Sequence, residues 1–180
     1  LDITAEMEGH PDNAAPAILG GFCMALIENG NVVAERIDIP SQWKAVVAIP
    51  DFELHTEKAR AVLPASYVRS DVVHNIGAVS FLMAAFMYNK PEYLKFGLDD
   101  HVHVPYRLGL IPGSEEVIRS SVKAGAYGAT ISGSGPTIIA FSPSDKAHLV
   151  GESMVSTFKH HGITSSYIVL DFDQSGISAV

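Results

Sequence analysis

The sequence predicts an α+β fold in which helices pack on one face of a largely antiparallel sheet. One observation is the order of the elements: from Lys44 onward the hydrophobic periodicity predicts β, α, α, α, β, β, α, β. Another is an Asn-Gly pair at 29–30 between two strand-like segments, the strongest short-range signal of a hairpin. With 180 residues, 47% of them hydrophobic, the chain is long enough for one full core, or for one domain and part of another.

The first forty residues are predicted to form two short helices and the hairpin. In chain order these are a helix over 3–8, a helix capped by Asp12 or Asn13 and ended by Gly20 or Gly21, and strands over 22–28 and 31–39. Pro40 and Ser41 then mark a boundary. We therefore place one domain at 1–40 and a second at 41–180.

The second domain is predicted to contain four strands and several helices. They are strand 44–50, a short helix from Thr56 or Glu57 to near Pro64, a long helix from about Ser70 to Tyr88, a short helix and His-rich turn at 91–105, helix 114–124, strands 127–132 and 137–141, helix 144–160 and strand 165–172. The long helix is apolar on nearly every face, so we expect it inside the domain. Its apolar run, 76–88, is shorter than the roughly 20 residues of a membrane span.

Composition and charge narrow the class of protein. The formal net charge is −8 and the isoelectric point about 5.4, so no overall field attracts the protein to nucleic acid or to anionic lipid. Cys23 is the one cysteine, which excludes an internal disulfide and fits a reducing compartment. We expect a cytoplasmic protein that binds neither nucleic acid nor membrane.

Acidic and imidazole groups crowd into one short stretch near the start of the chain. It contains Glu6, Glu8, His10, Asp12 and Asn13. A helix cap or a solvated helix face explains one or two of these groups, but a single cap does not need so many polar neighbours. The two glutamates lie two positions apart, so on one helix they face different directions, and only one of them fits a given Mg²⁺ site unless the helix ends between them.

A glycine-rich loop provides a second candidate site. Gly133 and Gly135 flank Ser134, and successive backbone N–H groups in such a turn can bind an anion. The loop lacks the Gly-Lys-Ser/Thr of a Walker motif and the third glycine of a dinucleotide-binding motif. A tight connection between two strands is the alternative, and the residues alone leave both open.

Other polar side chains have chemistry that suits an anionic substrate or a metal. Thr56 and Arg60 are one helical turn apart, and Arg107 follows in H-V-P-Y-R; arginine binds carboxylates or phosphates in a bidentate manner, although surface ion pairs are the alternative. His101 and His103 form an H-x-H pattern, a weak zinc signal without a nearby cysteine or third ligand.

Four motifs together resemble the homoserine kinases, a family of the GHMP small-molecule kinase superfamily. They are E-G-H-P-D-N-A-A-P-A-I-L-G-G at 8–21, H-T-E-K-A-R-A-V-L-P at 55–64, Y-R-L-G-L-I-P-G at 106–113 and G-A-Y-G-A-T-I-S-G-S-G-P-T at 125–137. The resemblance runs in order from residue 5 to about residue 170. It implies a GHMP-kinase-like fold: the tail of the N-terminal nucleotide-binding domain at 1–40 and a ferredoxin-like C-terminal sandwich at 41–180.

The resemblance also implies an activity and a set of site residues. The family phosphorylates the side-chain hydroxyl of L-homoserine with ATP and Mg²⁺, giving O-phospho-L-homoserine in threonine biosynthesis. The implied Mg²⁺ ligand is Glu6, with Glu8 as second choice, and no catalytic base is assigned. The implied substrate-binding residues are His10, Asp12, Asn13, Thr56, Arg60, Arg107, Gly133, Ser134 and Gly135.

The sequence differs from the family in one respect, the motif that binds ATP. The superfamily's ATP loop, P-x-x-x-G-L-G-S-S, is absent from the 180 residues, and the sequence opens without Met in the middle of helical sequence. We therefore expect the chain to be an incomplete part, inactive alone, whose partner is an N-terminal kinase segment. Whether it also forms a homodimer stays open.

Three other functions are consistent with parts of the sequence. A sensor domain could bind an amino acid without catalysis, although it would not need a Mg²⁺ carboxylate. A metal hydrolase could use Glu8, His10 and Asp12 with His101 or His103. The mevalonate and galactose branches of the superfamily share S-G-S-G-P-like loops but differ at the H-P-D-N stretch.

Overall fold

The computed structural model describes residues 1–178, and the chain divides into two compact units. The first unit consists of residues 1–41 and the segment from Asp171 onward, and the second of Gln42–Leu170. The boundary near residue 41 lies where Pro40 and Ser41 interrupt the pattern. The segment after Leu170 differs from the prediction, which kept 41–180 together.

The first unit contains two short helices and the hairpin. The helices are α1 (Asp2–Glu8) and α2 (Ala14–Leu19), and the strands are β1 (Phe22–Glu28) and β2 (Asn31–Ile37). Between the strands, Asn29 and Gly30 have φ angles of 53° and 81°. A type I′ turn needs positive φ at both central residues, which Asn-Gly adopts at low cost. The hairpin prediction is confirmed.

Hydrogen bonds hold the end of the described chain in the first unit. The Gln174 side chain accepts a bond from Ile39 N at 3.2 Å and donates one to Ile39 O at 3.0 Å. Ile177 N donates to Ile18 O at 3.1 Å, and a Cβ on Gly176 would lie 2.2 Å from that oxygen. These long-range bonds explain the difference from the predicted boundary, because no local pattern in the sequence indicates them.

The second unit is an antiparallel four-stranded sheet with helices against it. Its strands are β3 (Trp43–Pro50), β4 (Gly128–Ile131), β5 (Ile138–Pro143) and β6 (Ser165–Leu170), in the order β4-β5-β3-β6. The helices are α3 (Thr56–Ala61), α4 (Arg69–Met87), α5 (Leu94–Gly97), α6 (Val104–Leu108), α7 (Ser114–Lys123) and α8 (Ala147–His160), with a 3₁₀ turn at Pro91–Tyr93. With α7 and α8 as crossovers this is the βαββαβ arrangement of ferredoxin-like sandwiches, so the α+β prediction is confirmed.

The core of the second unit lies between the sheet and the two crossover helices. The fully buried side chains there include Val46, Ala48, Ile138 and Ala140 from the sheet and Val117, Val150, Met154 and Phe158 from the helices. Gly151 allows α8 to approach β6 closely, since a Cβ at that position would lie 2.2 Å from Tyr167 Cδ2. The core therefore holds α7 and α8 against one face of the sheet.

The long helix α4 is mostly exposed, and the prediction that it lies inside the domain is wrong. Only Ala78, Ala85 and Phe86 are buried, whereas Ile76 is 66% exposed and Val73 59%. Because apolar residues occur on every side of this helix, their pattern does not indicate which side packs against the rest of the domain.

The length and composition of α4 also allow it to be considered as a membrane-spanning helix. By length and composition α4 is the one helix among residues 1–178 that could cross a membrane, and 17% of its 18-residue apolar stretch is buried. One such helix is weak evidence for a span. The expectation that the protein binds no membrane stays a prediction.

Asp100 ties the turn before α6 to α4. Its Oδ1 accepts hydrogen bonds from Asn75 Nδ2 and Val102 N, both at 2.7 Å, and its Oδ2 accepts bonds from His103 N at 3.0 Å and Val104 N at 2.8 Å. Partial burial raises the pKa of the Asp100 carboxyl, but the bonds from Asn75 and the three backbone N–H groups outweigh it and lower the pKa. The ionised carboxylate is therefore part of the folded turn.

Substituting Asp100 tests this structural role. We expect Asp100→Ala to lower the free energy of unfolding by about 2 kcal/mol, because four donors lose a charged acceptor. Asp100→Asn keeps one acceptor oxygen and should lose less. Urea unfolding followed by circular dichroism measures both, and equal stability of Asp100→Ala and the unmodified chain would contradict the assignment.

Candidate substrate site

A helix and a loop of the second unit bring two predicted site residues together. Thr56 is the first residue of α3, and its Oγ1 lies 3.4 Å from Ser134 Oγ in the loop between β4 and β5. On either side of Ser134, Gly133 and Gly135 have φ angles of 58° and 85°, which side chains other than glycine rarely adopt. The two hydroxyls thus face one another.

Arg107 connects the same helix and the same loop. From α6, its Nη1 donates to Gly133 O at 3.1 Å and its Nε donates to Ala59 O at 3.3 Å. These bonds use two of the five guanidinium N–H groups, so the side chain still has donors for an anion. The structure thus assembles Thr56, Arg107 and the Gly-Ser-Gly loop, which lie far apart in the sequence.

The loop is also a tight connection between strands. Ser132 N donates to Thr137 O at 2.8 Å, and Gly135 N donates to Ser132 O at 3.0 Å. A Cβ on Gly135 would lie 2.7 Å from Ile111 Cδ1, whereas a Cβ on Gly133 would meet no atom within 4 Å. One glycine therefore packs against the core, and the other leaves open space in front of the loop.

An open cleft lies beside this cluster. Its volume is about 370 Å³, in the range of small-molecule sites, and its polar lining comes from Glu53, His55, Thr56 and Thr137. Arg60, predicted with Thr56, lies exposed one helical turn further along α3. The cleft borders both α3 and the loop.

The predicted polar stretch of the first unit forms a small network of its own. His10 Nδ1 and Asp12 Oδ1 are 2.5 Å apart, and the same oxygen accepts a bond from Asn13 N at 3.0 Å. Asn13 occupies the N-cap position of α2, but its side chain makes no capping bond. The Asn13 amide is therefore not used by the helix end, and Asp12 orients its neighbours.

The two candidate Mg²⁺ ligands lie on α1, which ends at Gly9 with a φ of 79°. Glu6 and Glu8 are both exposed. A carboxylate is the hard oxygen ligand that Mg²⁺ prefers, so either residue is chemically suitable. The choice of Glu6 over Glu8 stays a prediction.

One histidine of the H-x-H pattern, His101, lies close to possible metal ligands that the sequence did not indicate. Among residues 1–178, the group of possible metal ligands that lie close together consists of His74, Asp99 and His101. His103 instead lies 3.9 Å from Asp100 Oδ2. The group includes none of the first-unit residues that the hydrolase hypothesis combined with these histidines. His74 is on α4, so no local spacing could have revealed it.

Comparison with known proteins relates the chain to one group of kinases. A family model described as GHMP kinases C terminal matches residues 92–160. The homoserine kinase of Desulfitobacterium hafniense is 40% identical over 180 residues, and that of Carboxydothermus hydrogenoformans is 43% identical over 176 residues. The matched regions cover 100% and 98% of this chain.

Solved structures agree with the sequence comparison. The crystal structure of homoserine kinase from Cytophaga hutchinsonii superposes with a TM-score of 0.86 at 33% identity, covering 93% of this chain and 53% of that one. The chain spans 61% and 57% of the two relatives from Desulfitobacterium and Carboxydothermus. It therefore corresponds to little more than half of each of these three proteins.

Proposed function

We propose that this chain, which belongs to the GHMP kinases, serves the ATP-dependent phosphorylation of the side-chain hydroxyl of L-homoserine. The product is O-phospho-L-homoserine, an intermediate of threonine biosynthesis. The single observation that carries the proposal is the contact of Thr56 and Arg107 with the Gly-Ser-Gly loop, in a chain whose relatives are named homoserine kinases. The 180 residues hold no ATP loop, so this chain supplies the substrate side of the reaction.

The residue types suit a zwitterionic amino acid. Arg107 and Arg60 can bind the carboxylate, for which the guanidinium fork is well matched. The Asn13 amide and the His10 imidazole can bond the amine and the hydroxyl, with Asp12 holding the imidazole by its Nδ1. These contacts would position the hydroxyl for transfer.

The phosphate side needs charge neutralisation more than a strong base. Phosphoryl transfer depends mainly on positioning and on electrostatic stabilisation, so the lack of an assigned general base is consistent with the reaction. Glu6 would hold Mg²⁺, with Glu8 as second choice, and the ion would neutralise charge on the ATP phosphates. Ser134 and the adjacent backbone of the loop would lie beside the substrate.

The proposal extends to partners and location. We place the protein in the cytoplasm, with L-homoserine as substrate and an N-terminal kinase segment as the part that binds ATP. A net charge of −8 supports the absence of nucleic-acid binding.

An ADP-release assay tests the activity. It compares this chain alone with the chain joined to the unmatched part of the Desulfitobacterium hafniense relative, each with ATP, Mg²⁺ and L-homoserine. We expect homoserine-dependent ADP release from the joined protein and none from the chain alone. Calorimetry on both proteins measures the binding of L-homoserine and of L-threonine. It shows whether an amino acid binds even where no ADP is released.

Two outcomes would change the proposal. If the joined protein folds and binds homoserine but releases no ADP, the domain is a sensor of amino acids. If it folds and releases ADP faster when mevalonate or galactose replaces homoserine in the assay, the chain belongs to another branch of the superfamily.

A further inference from the structure

We propose that His74, Asp99 and His101 form a binding site for a divalent transition metal ion of the zinc class. His74 Nε2 lies 3.1 Å from Asp99 Oδ2, and His101 Nε2 lies 3.7 Å from the same oxygen. The three ligand atoms all lie within 4.8 Å of one another. Tetrahedral zinc with bonds of about 2.0–2.1 Å holds its ligand atoms about 3.3 Å apart, so side-chain rotations must bring these atoms closer together when the ion binds.

A second carboxylate orients one of the imidazoles. His101 Nδ1 lies 3.4 Å from Asp71 Oδ1, on the side of the ring away from Asp99. When Nδ1–H donates to this carboxylate, the lone pair of Nε2 points toward the proposed ion. Histidine ligands of zinc are commonly held by a carboxylate in this way, which also raises their basicity.

The backbone that carries these ligands is held in place by other residues. Asn75, next to His74 on α4, accepts a bond from His101 N at 2.8 Å and donates to Asp100 at 2.7 Å. Asp100 in turn binds the backbone of the turn between Asp99 and α6. Both sides of the site are therefore positioned without the metal, which lowers the cost of binding it.

The imidazole rings have one arrangement without the ion and need another with it. The rings of His74 and His101 are stacked, with centroids 3.8 Å apart and planes 13° from parallel. His74 Nε2 also lies 3.0 Å from Asp99 O. An ion shared by both Nε2 atoms must lie near the plane of each ring, so the rings must turn out of the stack when it binds.

The exposure and composition of the site favour one class of ion. The side chains of His74 and His101 are each 39% exposed and that of Asp99 is 56% exposed, so an ion can enter from solvent. Two imidazoles and one carboxylate, with a fourth position open to water, form a typical ligand set for Zn²⁺, whereas Mg²⁺ prefers oxygen ligands alone. The site is thus independent of the Mg²⁺ site expected at Glu6.

Calorimetry on the untagged chain, freed of metal with EDTA and then dialysed, tests the proposal directly. We expect one equivalent of Zn²⁺ to bind. His74→Ala and His101→Ala should each weaken binding by more than about tenfold, and Asp71→Asn by about tenfold, the effect of losing an outer partner. His160→Ala, which removes an exposed histidine of α8, is the matched control and should leave the affinity unchanged.

Imidazole ¹⁵N NMR on the unmodified chain keeps the test valid if a variant fails to fold. Of the eight histidines, those at 74 and 101 should shift at Nε2 with one equivalent of Zn²⁺. Binding that His74→Ala and His101→Ala leave intact, or shifts at other histidines instead, would overturn the proposal. The absence of binding to the unmodified chain would do the same.

Discussion

Replacing Arg107 with Leu in the joined protein, the chain fused to the unmatched part of the Desulfitobacterium hafniense relative, is expected to lower kcat/KM for homoserine about a hundredfold. The KM for ATP should change little. A lost charged contact to the substrate carboxylate costs about 3 kcal/mol, and each 1.36 kcal/mol is about tenfold in rate. Steady-state ADP release at varied homoserine and varied ATP separates the two effects.

Arg107 also holds the loop, so its variant needs two controls. The bonds to Gly133 O and Ala59 O are lost with the guanidinium, and urea unfolding shows whether stability falls as well. Arg119→Leu removes an exposed arginine of α7 that lies 3.1 Å from Glu116, and should leave both KM values unchanged. An unaltered homoserine KM in a folded Arg107→Leu protein would show that this arginine does not contact the substrate.

Replacing Trp43 with Ala is expected to lower the free energy of unfolding by about 4 kcal/mol. The side chain is 1% exposed, and its ring centroid lies 5.3 Å from that of Phe86 and 5.1 Å from that of Tyr127. Its Nε1–H donates to Asn89 Oδ1 at 3.0 Å, so the variant leaves a cavity and also loses this hydrogen bond. Urea unfolding followed by far-ultraviolet circular dichroism measures the loss.

Two further substitutions serve as controls for the loss of stability expected from Trp43→Ala. Trp43→Phe keeps most of the packing but removes the indole N–H, and should lose less than Trp43→Ala. Tyr88→Ala removes an aromatic side chain that is 68% exposed, and should cost less than about 1 kcal/mol. If Trp43→Ala and Tyr88→Ala cost the same, the structure around Trp43 would be wrong.

Much of the fold followed from local pattern. The Asn29-Gly30 turn has a backbone conformation that these two residue types adopt more easily than others, so its hairpin could be predicted without any tertiary contact. After residue 44, α7 has a helical periodicity of its own, and β3 is an apolar run of strand length. Element type and order were therefore largely predictable from short windows, but α6 (Val104–Leu108) was missed, because the prediction placed only a short helix and a His-rich turn at 91–105.

The candidate substrate site was predictable as a set of residues but not as an arrangement. Thr56, Arg107 and Ser134 were identified one by one, from a motif and from side-chain chemistry. That Arg107 bonds both the Gly133 carbonyl and α3 depends on how α6 packs beside the loop, and no spacing in the sequence encodes that. The roles of His10, Asp12, Asn13 and Arg60 stay predictions.

Local sequence alone was enough for the α+β class, the hairpin and the resemblance to homoserine kinases, because turn chemistry, periodicity and motifs act over a few neighbouring residues. Contacts across the fold decided the rest. Helix α4 is exposed although its composition suited a core, and the segment after Leu170 belongs to the first unit. His74 of α4 lies beside His101, which is 27 positions away in the sequence. Burial and ligand geometry depend on which surfaces meet, and residues distant in sequence determine that together.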